Sequence, residues 1–123
     1  MLSDSNDVKL YRSGATMRVV VFGLPGSGRS TLARELGLAL SAVVLDEEKL
    51  FETLNYDLDR SPEGYAESAR RIGWVASTIL DNGFNCVCDM RLSTELSRNN
   101  FRIPSGNVYA IWMDTIDSTT DEG

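Results

Sequence analysis

The sequence contains no histidine and only two cysteines, Cys86 and Cys88. Structural zinc sites are built from cysteine and histidine side chains at fixed spacings, so a zinc site is improbable. We expect both cysteines to be buried structural thiols on one strand. We also expect their side chains to point to opposite sides of that strand and not to bridge each other.

Long apolar segments and an excess of basic residues are also absent. No apolar run approaches the length of a membrane span, and the first 16 residues are too polar for a signal peptide. The net charge is −6, whereas a nucleic-acid backbone calls for a basic face. We therefore expect a cytoplasmic protein that binds neither membranes nor nucleic acids.

The length of 123 residues is that of one domain. Residues 1–16 are rich in Ser, Asp and Asn, lack periodicity and are predicted to form a flexible N-terminal extension. Residues 17–115 form the predicted domain, and residues 116–123 form a polar tail.

The most informative segment runs from Gly23 to Thr31 and reads Gly-Leu-Pro-Gly-Ser-Gly-Arg-Ser-Thr. An apolar, strand-like stretch precedes it and a helical pattern follows, which is the context of a phosphate-binding P-loop. Gly23, Gly28 and Ser30 match the P-loop pattern, whereas Arg29 stands where the pattern has lysine. The alternative interpretation is a glycine-rich turn between a strand and a helix.

Such a loop binds phosphates because glycines let its N–H groups converge on one anion, and the following helix adds its unpaired N–H groups. Ser30 supplies a hydroxyl suited to Mg²⁺. Arg29 keeps the positive charge of lysine but is planar and bulkier, so the exchange is not conservative. The residues predicted to bind ATP are Gly23, Pro25, Gly26, Ser27, Gly28, Arg29, Ser30 and Thr31.

Apolar segments alternate with helical patterns along the chain, which is typical of a parallel sheet with right-handed crossovers. We predict an α/β fold with three layers and a parallel sheet of four strands. The predicted strands are 17–22, 42–45, 84–90 and 108–113. The predicted helices are 30–40, one from the acidic residues 46–48 through 54, one from 61–63 to 82, and 93–101.

Motifs after the loop carry a family resemblance. They include Leu45-Asp46, Ser61-Pro62-Glu63, Arg70-Arg71-Ile72-Gly73 and Asp114-Thr115. With the loop, they resemble the adenylylsulfate kinases, P-loop enzymes that phosphorylate the 3′-hydroxyl of adenylylsulfate. The resemblance spans about residues 17–115. It implies the P-loop kinase fold, ATP and Mg²⁺ as cofactors, and γ-phosphoryl transfer to adenylylsulfate or a related small acceptor.

Other positions depart from the family pattern. Phe51, Tyr65 and Ser68 stand where the family holds its substrate with two arginines and an asparagine, and Arg60 replaces an aromatic ring that stacks the adenine. The resemblance also implies that the family's basic lid and last strand are missing. The alternative function is therefore a catalytically impaired nucleotide-binding module or a kinase fragment. An open sheet edge invites pairing with another chain, so a homodimer is one predicted assembly.

Acidic residues complete the predicted site. Asp89 ends the third strand, where it would lie near a Mg²⁺ held by Ser30; the alternative is a solvated acid. Asp46 and Glu48 follow the second strand and are candidates to orient the acceptor hydroxyl, although acids also suit a helix start. The predicted catalytic residues are Arg29, Asp46 and Glu48. The predicted substrate-binding residues are Asp46, Asn55, Arg70 and Arg71. The alternative for the two arginines is that they are solvated residues on a helix.

Overall fold

The computed structural model describes residues 16–23, 27–101 and 107–113. The predicted tail at 116–123 and, apart from Thr16, the predicted extension at 1–16 lie outside these residues. The elements are β1 (Met17–Gly23), α1 (Arg29–Leu40), β2 (Val43–Asp46), α2 (Glu47–Leu50), α3 (Pro62–Asp81), β3 (Cys86–Met90), α4 (Glu95–Asn100) and β4 (Asn107–Met113).

The described strands form one parallel sheet in the order β2-β3-β1-β4. The predicted α/β fold with four parallel strands is therefore confirmed. Because the carboxyl ends of parallel strands meet at one edge, the loop after β1 and the residues that end β2 and β3 come together there. Asp46 of β2 pairs in register with Asp89 of β3. The outer strands are β2 and β4, and the homodimer through an open edge stays a prediction.

Helices cover both faces of the sheet. On one face, Ala33 of α1 packs against Val19, Val21 and Val87. On the other face, α3 contributes a stripe of small and branched side chains that pack against β1 and β3. The members of this stripe are Ala69, Ile72, Ala76 and Leu80. The small alanines let the helix lie close to the sheet.

The boundaries of α3 follow from local signals in the sequence. The Ser61 hydroxyl accepts a hydrogen bond from the Gly64 N–H at 3.0 Å, and Pro62 occupies the first turn. At the other end, Gly83 has a φ of 89°, which other residues rarely adopt. The predicted helix is confirmed. None of the helices between 29 and 100 is long and apolar enough to cross a membrane.

The predicted end of the second helix at residue 54 is wrong, because α2 ends at Leu50. The N–H groups of Thr53 and Asn55 both bond to the Leu50 carbonyl, which winds the following residues into turns instead of a helix. The Asn55 side chain is fully buried and donates to the hydroxyl of Ser68 on α3. This long-range contact holds the segment in its turns.

The two cysteines are free and buried, as predicted. The prediction that they point to opposite sides of the strand is wrong. Cys86 and Cys88 lie in the same core cluster, with their Sγ atoms 3.8 Å apart. The physical reason is that successive side chains of a strand alternate, so residues two apart share a face.

We expect replacement of Ile72 by alanine to destabilise the domain by about 2–5 kcal/mol, because it leaves a cavity in the packed core. Ile72 is fully buried, whereas Trp74 on the same helix is 69% exposed. Chemical denaturation of both alanine variants tests this. The Trp74→Ala control should change the free energy of unfolding by less than about 1 kcal/mol. Equal losses in the two variants would contradict the assigned core.

Candidate active site

The loop between β1 and α1 is bounded by glycines with φ values that other residues rarely adopt. Gly23 has a φ of 141° and Gly28 a φ of 88°. A Cβ atom at position 23 would overlap the Met113 backbone on β4, so no side chain fits there. The predicted ATP-binding residues Pro25 and Gly26 lie outside the described residues.

The first turn of α1 faces a cavity of about 170 Å³. Gly28, Arg29, Ser30 and Thr31 line it, and the buried Ser27 precedes them. Gly28 is the N-cap residue, and no side chain caps this helix. Its first N–H groups and the positive end of its dipole therefore suit an anion. The described part of the loop leaves room for a phosphate group.

Arg29, at the lysine position of the motif, directs its guanidinium to the base of the loop. Its Nε donates to Oδ1 of Asp89 at 2.6 Å, and its Nη1 donates to the Gly23 carbonyl at 2.7 Å. The residue is only 8% exposed. Because two nitrogens have separate partners, the guanidinium is fixed between β3 and the end of β1.

Ser30 contacts the same carboxylate through its other oxygen. Its hydroxyl donates to Oδ2 of Asp89 at 2.8 Å. Asp89 is 2% exposed, so it is not the solvated acid of the alternative interpretation. Hydroxyl and carboxylate oxygens are ligands that Mg²⁺ prefers, so this pair fits the ion. Nowhere in 16–23, 27–101 or 107–113 do three metal-binding acidic or cysteine side chains meet, so the ion would need phosphate or water oxygens as well.

Asp46 ends β2 beside Asp89 and caps the next helix. Its Oδ1 accepts from the N–H groups of Glu48 at 3.1 Å and Lys49 at 3.3 Å. This is the helix-start role given as the alternative for Asp46. Its part in catalysis stays a prediction.

Glu48 contacts two residues that line a second cavity of about 320 Å³. Its Oε2 accepts from the Tyr65 hydroxyl at 3.0 Å, and its Oε1 lies 3.4 Å from Nη2 of Arg60. Burial raises the pKa of Tyr65, and the hydrogen bond to Glu48 raises it further. The lining of this cavity consists of Arg60, Pro62, Tyr65, Arg91, Ser93 and Thr94.

Two guanidinium groups lie on aromatic rings in this second cavity. The Arg60 Cζ is 4.7 Å from the Phe51 ring centre, and the Arg91 Cζ is 5.2 Å from that of Tyr65. The two rings meet edge to face at 5.2 Å. Such groups suit an anionic or planar ligand. By the family resemblance, Phe51, Arg60 and Tyr65 stand where the family has other substrate-binding residues. The structure shows that these three side chains contact one another, which the sequence did not indicate.

Comparison with known proteins places this geometry in a family. Residues 19–119 match the AAA domain family. The chain belongs to this family. An adenylyl-sulfate kinase of Paraburkholderia xenovorans is 43% identical over 67 residues, which cover 50% of the chain and 37% of that relative. One of Prochlorococcus marinus is 36% identical over 85 residues, covering 65% and 42%. The matches thus span about two fifths of these curated relatives.

A solved structure shares the fold of this AAA domain. The Mycobacterium tuberculosis APS kinase CysC in complex with AMPPNP and APS has a TM-score of 0.73 and 27% identity, covering 87% of this chain and 69% of that chain. The predicted resemblance to adenylylsulfate kinases is confirmed. This AAA domain has a P-loop kinase fold.

Three predicted substrate-binding residues lie elsewhere in this AAA domain. Asn55 is fully buried, and Arg70 forms an ion pair with Glu67 at 2.6 Å. Arg71 binds both carboxylate oxygens of Asp57, at 2.8 and 3.0 Å. The lining of neither cavity includes Asn55, Arg70 or Arg71. Asn55 and Arg71 tie the segment before α3 to that helix, whereas Arg70 pairs within α3. The contact of these three residues with a substrate stays a prediction.

Sequence reasoning missed Glu47, which is only 1% exposed. Its Oε2 accepts from the Ser68 hydroxyl at 2.6 Å and its Oε1 from the Arg91 N–H at 2.8 Å. Burial raises the pKa of Glu47 above its ordinary value. The acidic run at 46–48 was a signal, but the direction of each side chain depends on where the helix begins.

We expect the domain to lose stability through Glu47 as the pH rises above 4.5, the ordinary pKa of its carboxyl group. Because burial raises the pKa in the folded state, the folded protein binds more protons than the unfolded chain in that range. The contribution is complete below pH 4.5 and is lost as the pH passes the folded pKa. Glu47→Gln removes it, so urea denaturation from pH 4.5 upward should show a smaller loss for the variant.

Glu63→Gln, at an exposed position on α3, is the matched control and should keep the pH dependence of the original protein. The same pH dependence in Glu47→Gln would show that Glu47 is not a buried titrating group.

Proposed function

We propose that this P-loop domain binds ATP with Mg²⁺ and transfers the γ-phosphoryl group to a small hydroxyl-bearing acceptor, adenylylsulfate or a related nucleotide or metabolite. The observation that carries the proposal is the uncapped first turn of α1, whose Ser30 hydroxyl contacts the strand-end carboxylate of Asp89. The relatives named adenylyl-sulfate kinase and the APS kinase solved with AMPPNP support it.

The triphosphate would lie against the first turn of α1. The N–H groups that follow Gly28 lie at the N-terminal end of α1, next to the cavity. The helix dipole favours negative charge there. Arg29 adds a fixed positive charge at the base of the loop through its contacts with Asp89 and the Gly23 carbonyl. A positive charge in this position attracts phosphate and is less mobile than the charge of a lysine side chain.

Ser30 and Asp89 would hold the Mg²⁺, which when bound neutralises part of the charge on the β- and γ-phosphate oxygens. Arg29 already occupies Oδ1 of Asp89. The carboxylate is therefore shared between the guanidinium and the hydroxyl of Ser30, and its charge is partly compensated before nucleotide binds.

The transfer forms a bond from the acceptor oxygen to the γ-phosphorus and breaks the bond to the β–γ bridging oxygen, so ADP leaves with the electron pair. The hydroxyl proton passes to a carboxylate. Glu48 is better placed than Asp46, because its carboxylate contacts Tyr65 and Arg60 of the second cavity's lining, whereas Oδ1 of Asp46 caps α2. We propose the second cavity as the acceptor site, where Arg60 and Arg91 would face an anionic group.

We expect ATP with Mg²⁺ to raise the melting temperature, by an amount equivalent to about 2.7 kcal/mol at 100 times its Kd. Ser30→Ala should reduce the shift, because the variant loses the hydroxyl proposed to bind the ion. Ser77→Ala on α3 is the matched control and should keep the full shift. No shift at millimolar ATP would contradict nucleotide binding.

We expect turnover of adenylylsulfate with ATP and Mg²⁺ in a coupled assay, and a fall in kcat of about 10²–10⁴-fold in Glu48→Gln, as for loss of a general base. The variant should keep its ATP-induced thermal shift, and Glu63→Gln should keep full activity. ATP binding without turnover would favour the non-catalytic nucleotide-binding module. Turnover that appears only in the Arg29→Lys variant would show that the arginine is the reason why the original protein is inactive.

A further inference from the structure

Arg18 on β1 carries a charge in the interior on the face covered by α3 and α4. The residue is 1% exposed. Its Nε, Nη1 and Nη2 atoms are all buried, and none has a hydrogen-bond partner among the residues that the structure describes. Burial of an unpaired ion carries a penalty of several kcal/mol, so an unpartnered guanidinium in a folded interior calls for a counterion.

Among the residues that the structure describes, none supplies a carboxylate to Arg18. Burial lowers the pKa of Arg18 to about 10, so the side chain stays protonated at neutral pH. The titratable neighbours that act on its pKa are the thiols of Cys86 and Cys88, whose Sγ atoms lie 3.8 Å apart. The pKa of Cys88 is raised well above its ordinary value by the hydrogen bond with Cys86 and by burial.

A cavity of about 310 Å³ adjoins Arg18. Its walls are mostly apolar, with Phe22 and Phe101 among them, and β4 contributes Val108 and Ala110. The exposed Arg98 adds a second guanidinium, and no acidic residue belongs to the described part of the lining. This volume lies within the range of small-molecule sites. An apolar space with two cations and no anion suits a ligand with an apolar body and one negative group.

We propose that this cavity binds a small amphipathic carboxylate, whose apolar body lies on β1 and β4 and whose carboxylate pairs with Arg18. A guanidinium and a carboxylate match in shape and bind through two parallel hydrogen bonds. Arg18 already forms part of the cavity wall, and ligand binding would turn its covered nitrogens toward the cavity. A multiply charged anion would lose more hydration in such apolar surroundings.

The site is separate from the phosphate cavity. Val20 and Phe22 belong with the α3 side of the sheet, whereas Val19 and Val21 face α1, which carries the P-loop serine. The proposal therefore does not rest on ATP binding and is tested without nucleotide.

The probe is octanoate, with 1-octanol as an uncharged control of equal chain length, added to the full chain in thermal-shift and calorimetric titrations. We expect octanoate to raise the melting temperature and 1-octanol to have a smaller effect. Arg18→Met should raise the Kd for octanoate by about tenfold or more, the effect of losing a charge-assisted hydrogen bond. Arg34→Met, an exposed arginine on α1, should bind octanoate unchanged.

The free protein provides a second measurement. Replacement of an unpaired buried charge by an apolar side chain is stabilising, so Arg18→Met should melt higher than the original protein without ligand. A lower melting temperature would show that a group of the chain already pairs with Arg18, which would overturn the proposal.

Ala110→Phe keeps Arg18 but fills the cavity from β4, and should abolish octanoate binding. Unchanged octanoate binding in Ala110→Phe, or no octanoate binding to the original protein, would also overturn the proposal. Cooperative thermal unfolding of both variants would show that their loss of octanoate binding is local.

Discussion

The carboxylate of Asp89 holds together the elements on which the site depends. It receives Nε of Arg29 on one oxygen and the Ser30 hydroxyl on the other, while Arg29 also reaches the Gly23 carbonyl. The contact therefore joins the ends of β1 and β3 to the first turn of α1. Removal of one partner from a buried ion pair typically costs about 3–5 kcal/mol. The base of the loop is thus fixed by the protein itself.

Most of the fold could be predicted because its signals are local. Alternating apolar and helical segments predict the strands and helices, and Ser61 with Pro62 marks the start of α3 through an actual cap. The end of α2 could not be predicted in the same way. Apolar residues continue to Leu54 at helical spacing, but the buried contact of Asn55 with Ser68 overrides that pattern. A contact between residues far apart in the chain leaves no mark on the local sequence.

The same difference between local signals and long-range contacts applies to the candidate site. The spacing of Gly23, Gly28 and Ser30 predicts the loop, and the apolar strand before Asp89 predicts where that carboxylate lies. Arg71 could not be placed from the sequence, because its partner Asp57 lies 14 residues away. Glu47 was missed because nothing in a run of three acids indicates which one turns inward. Motifs predict backbone positions better than they predict side-chain partners.

Met113 connects the sheet edge to the P-loop. Its backbone packs against Gly23, and its terminal methyl group lies 3.8 Å from where a Cβ of Gly28 would stand. The last residue of β4 thus lies against Gly23 and close to Gly28, the two glycines that bound the loop. A change in the position of this outer strand would therefore be felt first at the two ends of the loop.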